Sequence, residues 1–347
     1  MPTFTAANLR SFTAQVFGAV GVKPDEARTV ADSLVGANLV GHDSHGVMRI
    51  PEYIKWVEQD RVNLDAHFSI AVETEAFAVI DGDWGWGQVV GRKAMAVAIE
   101  KASKVGVGTV SVRNCCHLGR VGEYPLLAAE QEMVAVLFVN THGGGKLVAP
   151  WGGRERRLSA NPIAIAAPTP DGPAIVVDIS TCAIAEGKLR VMLNRGDAVP
   201  PGCILDAEGR PSTDPAAFYG PPEGTLLPVG RHKGFALSLV GDILAGALSG
   251  AGCSRPDTDR VGNSFLAIVI DIEKLRGRGE FMVDVKQLVE YVRSSALAPG
   301  FEEILIPGEP EARERARREK EDIPVDTETW RQITETAARY GVAVPES

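Results

Sequence analysis

A short polar turn near the start of the chain concentrates side chains that can do chemistry. Residues 41–49 (GHDSHGVMR) include two histidines, a serine, an aspartate and an arginine. A histidine can accept or donate a proton near neutral pH, and an arginine binds a carboxylate through two parallel, charged hydrogen bonds. The turn therefore has the residue types needed to hold a small carboxylic acid and to move a proton on it. A plain connection between two helices is the alternative interpretation.

A second candidate, His117, follows a predicted strand over 107–112 and precedes a predicted helix over 121–132. Loops between strands and helices often carry functional groups, so His117 is the candidate general base. Arg49 is the candidate carboxylate-binding group. An arginine at the start of a helix is mildly unfavourable for the helix dipole, which suggests that another group fixes it there. A structural histidine and a surface arginine are the alternatives.

Helices at both ends of the chain and alternating strands and helices between them must position these residues. Helical spacing of apolar residues predicts helices over 6–20 and 24–40, and a third carrying Ile50, Tyr53, Ile54 and Val57. Segments rich in valine and isoleucine predict strands at 76–80, 107–112, 133–139, 163–167, 174–177 and 265–270. Further helices are predicted near 88–104, 121–132, 288–292, 311–321 and 327–340.

Three segments of this pattern need separate interpretation. Residues 235–248 are apolar on nearly every side, which predicts a buried helix. Residues 196–230 are rich in proline, glycine and aspartate, and we interpret them as a long ordered excursion. The charge-rich run 311–321 is typical of a solvated helix face. The fold predicted is an α/β body (71–282) with a helical domain built from 1–70 and 283–347.

Composition and charge exclude several classes of function. The chain has 45% hydrophobic and 23% charged residues and a net charge of −9, so a nucleic-acid-binding surface is not expected. No apolar run reaches the roughly 18–20 residues that a membrane span needs, and no secretory signal is visible. The five cysteines lack a C-x-x-C pair, which favours reduced thiols in a cytoplasmic protein and no bound metal.

Familiar motifs of cofactor binding and hydrolysis are incomplete. Gly106 and Gly108 follow a helix and Ser111 replaces the third glycine, so the dinucleotide motif G-x-G-x-x-G is absent. Residues 142–145 (HGGG) resemble an esterase oxyanion segment, but the nucleophile motif G-x-S-x-G is missing around Ser44. Ser44 and His45 are adjacent and would diverge unless the backbone turns sharply. Cys116 is expected to be a buried structural thiol.

Several segments in order along the chain resemble the malate/L-lactate dehydrogenase family of the non-Rossmann type. Its relatives include ureidoglycolate and L-sulfolactate dehydrogenases, diketogulonate reductase and piperideine-carboxylate reductase. The matching segments are 41–49, 117–119 (HLG), 151–153 (WGG), 161–162 (NP), 178–188 (DISTCAIAEGK), 206–215 (DAEGRPSTDP), 232–234 (HKG) and 306–309 (IPGE). The resemblance implies NAD(P)-linked interconversion of a 2-hydroxy and a 2-oxo acid. It also implies a mainly antiparallel sheet and a homodimer with shared active sites.

The resemblance also implies roles for individual residues. His117 matches the family's proton acceptor, Arg49 is the carboxylate anchor, and Ser44 and His45 match a pair that works with an aspartate in imine-reducing relatives. Lys188 occupies the position of that aspartate, which favours hydroxy-acid over imine chemistry, with His45 lining the site. Asn161 and Lys188 are further candidates for substrate binding, and His42 and Asp43 are interpreted as turn and capping residues. An NADPH-dependent reductase of cyclic imino acids is the alternative function.

The cofactor is expected to be NAD, with NADP the alternative. Lys233, at the start of the apolar helix, can offer a positive charge and a helix N-terminus to the pyrophosphate. The resemblance adds contacts to the dinucleotide from Thr141, Asp178, Ile179, Ser180, Gly308 and Glu309. A 2′-phosphate would need nearby cations, which the run 313–320 contains, but solvated helices carry such charges routinely.

Overall fold

The chain forms a mixed α/β fold in the computed structural model, which describes residues 1–258 and 260–345. Its helices are α1 (Ala6–Ala19), α2 (Pro24–Leu39), α3 (Ile50–Glu58), α4 (Gly87–Val105), α5 (Glu123–Ala129), α6 (Glu186–Arg195), α7 (Ala216–Tyr219), α8 (His232–Asp242), α9 (Ile272–Leu275), α10 (Arg278–Arg293), α11 (Glu309–Glu321) and α12 (Thr327–Arg339). Its strands are β1 (Thr3–Phe4), β2 (Ser69–Glu73), β3 (Phe77–Gly85), β4 (Val107–Cys115), β5 (Met133–Asn140), β6 (Ile163–Ala167), β7 (Ile175–Ile179), β8 (Ile204–Leu205), β9 (Pro211–Ser212), β10 (Thr225–Leu226), β11 (Asn263–Asp271) and β12 (Ile323–Pro324).

A seven-stranded sheet forms the body of the molecule, in the order β2-β3-β4-β11-β5-β6-β7. Only the pair β3–β4 is parallel, joined by α4; the other five pairs are antiparallel. Helix α4 lies close against β4, because a Cβ on Gly108 would lie 1.9 Å from the carbonyl oxygen of Ala98. The mainly antiparallel sheet implied by the family resemblance is confirmed.

A helical layer is built from both ends of the chain. The core side chains of α1, α2, α3 and α12 form one buried cluster, which includes Leu34, Tyr53 and Ile333. Strand β1 pairs with β12, so that Phe4 lies opposite Ile323 and ties the two chain ends together. The same cluster includes Trp86 and Cys116, and it therefore joins the helical layer to the sheet. This arrangement confirms the predicted layer.

The excursion over 196–230 is ordered. It contains a three-stranded sheet in the order β10-β8-β9 and the short helix α7. Together with α6 and the segment around Val148, it encloses a third buried cluster that includes Leu189, Phe218 and Leu226. Helix α10 has no buried residue, and Lys286 on it pairs with Asp171 beyond β6 at 2.9 Å. The division into two domains stays a prediction.

The prediction of a buried helix over 235–248 is wrong. The segment is helical, as α8 followed by a π-helical turn over Ile243–Ala247. Its buried side carries small or polar residues such as Ser238 and Ala245, whereas Leu237, Val240 and Ile243 are 42%, 48% and 49% exposed. The sequence shows that one side of a helix is apolar but not what covers that side, and no residue among 1–258 and 260–345 covers these three side chains. No helix in the described part of the chain is both long and apolar enough to cross a membrane.

Candidate active site

The turn over 41–49 is a rigid connection between α2 and α3. It consists of two consecutive 3-10 turns, Asp43–His45 and Val47–Arg49. Asn38 at the end of α2 binds both: its Nδ2 donates to Asp43 at 2.6 Å, and its Oδ1 accepts from the backbone N of Val47 at 2.8 Å. A Cβ on Gly46 would lie 2.2 Å from Asn38 Oδ1, so this packing requires glycine there.

A buried arginine of α11 anchors the same turn. Arg318 donates to both carboxylate oxygens of Asp43, at 2.6 and 3.0 Å, and to the carbonyl oxygen of Asn38 at 2.7 Å. Its side chain is only 8% exposed. The prediction of a solvated face for α11 therefore fails at this residue, because its partner lies 275 positions away. Asp43 acts as a turn residue, as interpreted, and His42 lies 3.4 Å from Glu311 of α11.

Ser44, His45 and Arg49 form a connected group within the turn. Ser44 Oγ lies 3.0 Å from Nδ1 of His45. The backbone turns sharply here, in the 3-10 turn Asp43–His45, which is the condition under which adjacent serine and histidine side chains were expected to meet. Arg49 Nε donates to the carbonyl oxygen of Ser44 at 2.7 Å, and one terminal nitrogen pairs with Glu52 at 2.6 Å. These two contacts hold Arg49 at the start of α3, where the helix dipole is mildly unfavourable for a cation.

His117 lies beside this turn, at the junction of two hydrophobic clusters. Its neighbour Cys116 belongs to the cluster of the helical layer, and Leu118 belongs to the cluster of the sheet. The rings of His117 and His45 stack with their centroids 5.7 Å apart. The structure thus brings together the turn at 41–49 and the loop after β4, which are separated by about 70 residues.

Tyr53 and Gln88 complete the surroundings of His117 and were not among the predicted site residues. Tyr53 Oη lies 2.7 Å from Nδ1 of His117, and Gln88 Nε2 donates to Tyr53 Oη at 3.1 Å. The other end of the Gln88 amide, Oε1, is buried without a partner in the described residues. The only sequence signal was the i, i+4 spacing of Tyr53 from Arg49, which puts both on one side of α3; Tyr53 was assigned to the core.

His45 and His117 are both held in their neutral form. Burial, followed by the charge of Arg49, lowers the pKa of His45 to about 3. The same two causes, in the same order, hold the pKa of His117 well below its usual value of 6.5. Burial raises the pKa of the Tyr53 hydroxyl, which therefore keeps its proton. A neutral imidazole next to a fixed guanidinium is suited to accept a proton from a bound hydroxyl group.

The loop after His117 contacts Asp178 and contains the buried side chain of Arg120. The backbone N of Gly122 donates to Asp178 Oδ2 at 2.7 Å, and the side chain of Arg120 is only 5% exposed. Asp178 lies near the end of β7, as predicted. The sequence interpretation did not identify this buried arginine, since an isolated arginine in a loop has no distinguishing pattern.

Asn161, a predicted substrate residue, and the predicted cofactor residues Ile179, Ser180 and Lys233 lie around the contact of β6 and β7 with α8. Asn161, after β5 and before β6, donates through Nδ2 to the carbonyl oxygen of Ser238 on α8 at 2.9 Å. Thr181, next to Ser180, donates from its backbone N to Ala160 and accepts from Val229, the residue just before the α8 entry turn. Ile179 is 45% exposed, and Lys233 lies exposed in the first turn of α8.

Two further predicted cofactor residues lie at the start of α11. Gly308 has a φ of +99°, and a Cβ there would lie 2.6 Å from the carbonyl oxygen of Ala174, beside β7. Glu309 accepts from the backbone N of Ile306 at 2.8 Å.

Thr141 and Ser180, two more predicted cofactor residues, follow strands β5 and β7. Thr141 donates through its hydroxyl to the carbonyl oxygen of Gly144 at 2.7 Å. Ser180 accepts from the backbone N of Cys182 at 3.0 Å.

Lys188 has a different environment from the other candidates. Its side chain is exposed on α6. The preceding residue, Gly187, approaches the turn, because a Cβ on it would lie 3.0 Å from Cβ of Ser44. The first turn of α6 therefore lies next to Ser44, and no carboxylate at 188 is available to complete a relay with Ser44 and His45.

Two hydrolytic alternatives lose support. The Cys116 thiol is buried, which raises its pKa to about 12, so it is a structural thiol as predicted and not a nucleophile. Residues 142–145 pack elsewhere: Cβ positions on Gly143 and Gly144 would meet the backbone of Cys253 and Arg260. His142 Nε2 lies 2.9 Å from Asn114.

Comparison with known proteins gives one consistent result. Residues 4–334 match the family model described as malate/L-lactate dehydrogenase. The chain is 38% identical over 344 residues to the hydroxycarboxylate dehydrogenase B of Escherichia coli K12, covering 98% of this chain and 94% of that protein.

Solved structures agree with this result. The malate dehydrogenase of Pyrococcus horikoshii is 36% identical, with a TM-score of 0.89, covering 99% of this chain and 96% of that one. The Δ1-piperideine-2-carboxylate reductase of Pseudomonas syringae is 29% identical, with a TM-score of 0.85, covering 97% and 100%.

Proposed function

Because the chain belongs to the malate/L-lactate dehydrogenase family, we propose that it interconverts a small 2-hydroxy acid and its 2-oxo acid by hydride transfer with a nicotinamide dinucleotide. The acids meant are those of the malate, lactate, sulfolactate and ureidoglycolate type. The observation that carries the proposal is the neutral His117 beside Arg49 and His45. A base and a carboxylate anchor next to each other are what oxidation of a 2-hydroxy acid requires.

The residues around β6, β7 and α8 fit a dinucleotide. Asn161 Oδ1 is buried without a partner in the described residues, so it can accept from an amide such as the nicotinamide carboxamide. The exposed apolar side chain of Ile179 offers a surface to the ring, Asp178 offers a carboxylate to ribose hydroxyls, and Lys233 offers a charge to the pyrophosphate. Thr141, Ser180, Gly308 and Glu309 complete the proposed binding set. When bound, nicotinamide accepts or returns the hydride of the substrate's C2 atom.

NAD is the cofactor that we favour over NADP. Three of the four arginines of α11 have close carboxylate partners: Arg313 with Glu303, Arg317 with Glu314, and Arg318 with Asp43. The fourth, Arg315, lies 3.8 Å from Glu319. A paired arginine attracts a further anion less strongly than a free one. Comparing KM for NADH and NADPH tests this choice.

His117 is the proposed acid and base. Its Nδ1 faces Tyr53, so Nε2 is the nitrogen left to take the substrate's hydroxyl proton in oxidation and to return it in reduction. For Nε2 to accept a proton, the proton of the neutral imidazole must lie on Nδ1. There it forms a hydrogen bond to Tyr53 Oη.

Gln88 can support that arrangement. When Nδ1 donates a hydrogen bond to Tyr53 Oη, the Tyr53 hydroxyl needs an acceptor for its own hydrogen. The unpartnered Oε1 of Gln88 becomes that acceptor when the side-chain amide rotates by 180°. Tyr53 and Gln88 thus act as positioning residues that select the reactive form of His117.

Arg49 is the proposed anchor of the substrate's α-carboxylate. Its Nε and one terminal nitrogen are held by Ser44 and Glu52, which fixes the plane of the guanidinium and leaves N–H groups for a ligand. His45 lines the site as a neutral hydrogen-bonding group, and Ser44 orients it through the 3.0 Å contact. Asn161 and Lys188 remain proposals as substrate contacts.

A homodimer with shared active sites is the proposed assembly. The exposed apolar side chains of α8 and its π-helical extension, Leu237, Val240 and Ile243, form a strip that a second copy of the chain would cover. The strip begins one turn after Lys233. A partner chain lying on it would therefore approach the proposed cofactor site.

One assay tests the function and separates it from its alternative. Oxidation of NADH and NADPH is measured with pyruvate, oxaloacetate, sulfopyruvate and piperideine-2-carboxylate. We expect turnover with one or more of the 2-oxo acids, a loss of about 10²–10⁴ in kcat for His117→Asn, and mainly a raised KM for Arg49→Lys. Turnover of the cyclic imine alone would support the alternative function, a reductase of cyclic imino acids. Wild-type rates in His117→Asn would remove His117 as the base.

A further inference from the structure

A buried asparagine that the proposed function does not use holds the backbone next to His117. Asn263, the first residue of β11, is 5% exposed, and its Oδ1 accepts from the backbone N of Leu118 at 2.8 Å. Leu118 follows His117 directly, and its carbonyl oxygen accepts from the hydroxyl of Tyr124. Both backbone polar groups of Leu118 are therefore bound by side chains, and the loop cannot rotate here without losing a buried hydrogen bond.

Asn263 is itself held by a second buried asparagine. Its Nδ2 donates to the carbonyl oxygen of Asn140, the last residue of β5, at 2.8 Å. Asn140 is fully buried, and its Oδ1 accepts from Ser264 Oγ and from the backbone N of His142. The oxygen and the nitrogen of the Asn263 amide each have a partner, so the orientation of this amide is fixed.

The series of contacts ends at α8. Asn140 Nδ2 donates to Asp242 Oδ1 at 2.9 Å and to the carbonyl oxygen of Gly252 at 3.2 Å. Asp242, the last residue of α8, is 3% exposed, and its Oδ2 accepts from the backbone N of Ser254 at 2.8 Å. A buried carboxylate is costly unless it is hydrogen-bonded, and here both oxygens are. Buried hydrogen bonds therefore connect α8 with the loop after β4.

Helix α8 and the loop after β4 carry different parts of the proposed site. Lys233, the proposed contact of the pyrophosphate, lies in the first turn of α8. The exposed apolar strip that includes Val240 lies on the same helix. His117, the proposed base, lies in the loop. The contacts through Asp242 and Asn263 thus join the helix that is proposed to bind the cofactor to the loop that holds the base.

We propose that Asn263 is a positioning residue of the reaction, which together with Asn140 and Asp242 holds the loop of His117 in a fixed position relative to α8. This inference rests on the proposed function. The base acts on the hydroxyl group of the same carbon atom that gives up the hydride, so the base and the nicotinamide must be aligned with each other. A displacement of about 1 Å can lower a rate about 100-fold.

Asn263→Ala removes the acceptor of the Leu118 backbone N. Oxidation of L-malate, L-lactate and L-sulfolactate is measured with NAD⁺, and NADH binding is measured by fluorescence titration. We expect kcat for the acid that the wild type oxidises fastest to fall about 10- to 100-fold, with the KM for NAD⁺ and the Kd for NADH within about 2-fold. Amide hydrogen exchange, followed by mass spectrometry, should become faster in the peptide that contains Leu118.

Asn63→Ala is the matched control. Asn63 also donates through its Nδ2, to Asp83 at 2.9 Å, and accepts from a backbone N, that of Asp65, at 3.1 Å. Neither partner belongs to the loop of His117. We expect this variant to keep kcat and the exchange rate of the Leu118 peptide within about 2-fold of the wild type.

A reciprocal exchange tests the connection to α8, and it keeps the proposal testable if Asn263→Ala does not fold. Asp242→Asn alone turns an amide nitrogen toward Nδ2 of Asn140 or toward the backbone N of Ser254, so that two donors face each other. Adding Asn140→Asp restores a donor and an acceptor in the reverse direction. We expect the single substitution to lower kcat about 10-fold and to speed exchange at Leu118. The double substitution should recover kcat to within about 3-fold of the wild type.

Four outcomes would overturn the inference. They are an unchanged kcat in Asn263→Ala, unchanged exchange at Leu118 in that variant, weaker NADH binding as its main defect, and equal losses of kcat in Asp242→Asn and in the double variant. Failure of the proposed function looks different, because then the wild type oxidises none of the three acids with NAD⁺ or NADP⁺. Hydrogen exchange still reports in that case whether Asn263 and Asp242 hold the loop.

Discussion

His117 is uncharged in the free protein because it is buried next to the fixed cation of Arg49. A base must be neutral to accept a proton, and an acid must be protonated to give one back. The direction of the pKa shift therefore has opposite consequences for the two directions of the proposed reaction. These consequences can be measured without any substitution.

We expect kcat/KM for oxidation of the 2-hydroxy acid to stay constant as the pH is lowered through 6.5, the ordinary pKa of histidine. It should fall only at lower pH, since His117 stays neutral until then. For reduction of the 2-oxo acid, kcat/KM should keep rising as the pH is lowered below 6.5. Initial rates at subsaturating substrate between pH 5 and 9 check both profiles. A midpoint at or above pH 6.5 in either direction contradicts the shift.

Tyr53→Phe tests the contact that selects the form of His117. The phenyl ring keeps the packing of this buried residue and removes the 2.7 Å contact to Nδ1. We expect kcat to fall about 10-fold, which corresponds to the roughly 1–1.5 kcal/mol of one hydrogen bond, with KM nearly unchanged. The pH profile should also move, which loss of packing alone would not produce. An unchanged kcat and profile would remove Tyr53 from the proposed mechanism.

The sequence indicates the proposed reactive groups but not the residues that contact them. Histidine and arginine in a polar turn indicate chemistry by their type, so His117, Arg49 and His45 could be identified as candidates. Tyr53 and Gln88 are residue types that are common in helices, and their positions follow no distinctive pattern. Their roles depend on which atoms face them across the fold, and this information is not local in the sequence.

Helix α11 is connected to the turn at 41–49 by the side chain of Arg318. Arg318→Met removes three hydrogen bonds to Asp43 and Asn38. We expect the free energy of unfolding to fall by about 2 kcal/mol, and KM for the hydroxy acid to rise, since the turn carries Arg49. Urea titration and steady-state kinetics measure the two effects.

Arg315→Met is the control for Arg318→Met. Arg315 lies on the same helix with its side chain 43% exposed, and its contact to Glu319 is 3.8 Å long. Exposed pairs of this kind contribute little to stability, so both measurements should stay near the wild type. Equal effects of the two substitutions would mean that the helix as a whole, and not the contact to Asp43, supports the turn.

Element types and approximate bounds followed from apolar periodicity, but element partners did not. β6 was predicted at 163–167 and lies at Ile163–Ala167. The apolar helix after residue 232 shows the limit, because periodicity cannot distinguish a side covered by the same chain from a side left open.

The exposed apolar strip of α8 predicts the behaviour of the whole molecule in solution. Val240→Asp places a charge in the middle of the strip, and burying that charge in an interface would be costly. We expect the wild type to be a dimer and the variant to be a folded monomer with much reduced activity. Size-exclusion chromatography with light scattering measures both masses.

Leu275→Asp is the matched control, since Leu275 is 75% exposed on α9 and lies outside the strip. It should remain a dimer with wild-type activity. A Val240→Asp variant that keeps the mass of a dimer would locate the interface elsewhere, and a monomeric wild type would contradict the proposed assembly.

The order of the strands was not predicted from the sequence, and the family resemblance implied only that the sheet is mainly antiparallel. Strand β11 lies between β4 and β5, so that Phe265 pairs with Val112 on one side and Val139 on the other. Such pairings join segments more than 100 residues apart, and single-chain periodicity carries no information about them. The helical layer was easier to predict, because amphipathic helices at both ends of a chain need a common surface to bury.

The anchor of the turn at 41–49 also has a consequence for protein synthesis. Residues 41–49 are synthesised early, whereas Arg318 and strand β12, which pairs with β1, lie within residues 318–324 near the C-terminal end. A chain that grows from its N-terminus therefore completes its seven-stranded sheet before the turn at 41–49 can be fixed. We expect nascent chains arrested on the ribosome just before residue 309 to contain a protease-resistant sheet but to lack dehydrogenase activity, which should arise once α11 has emerged and folded.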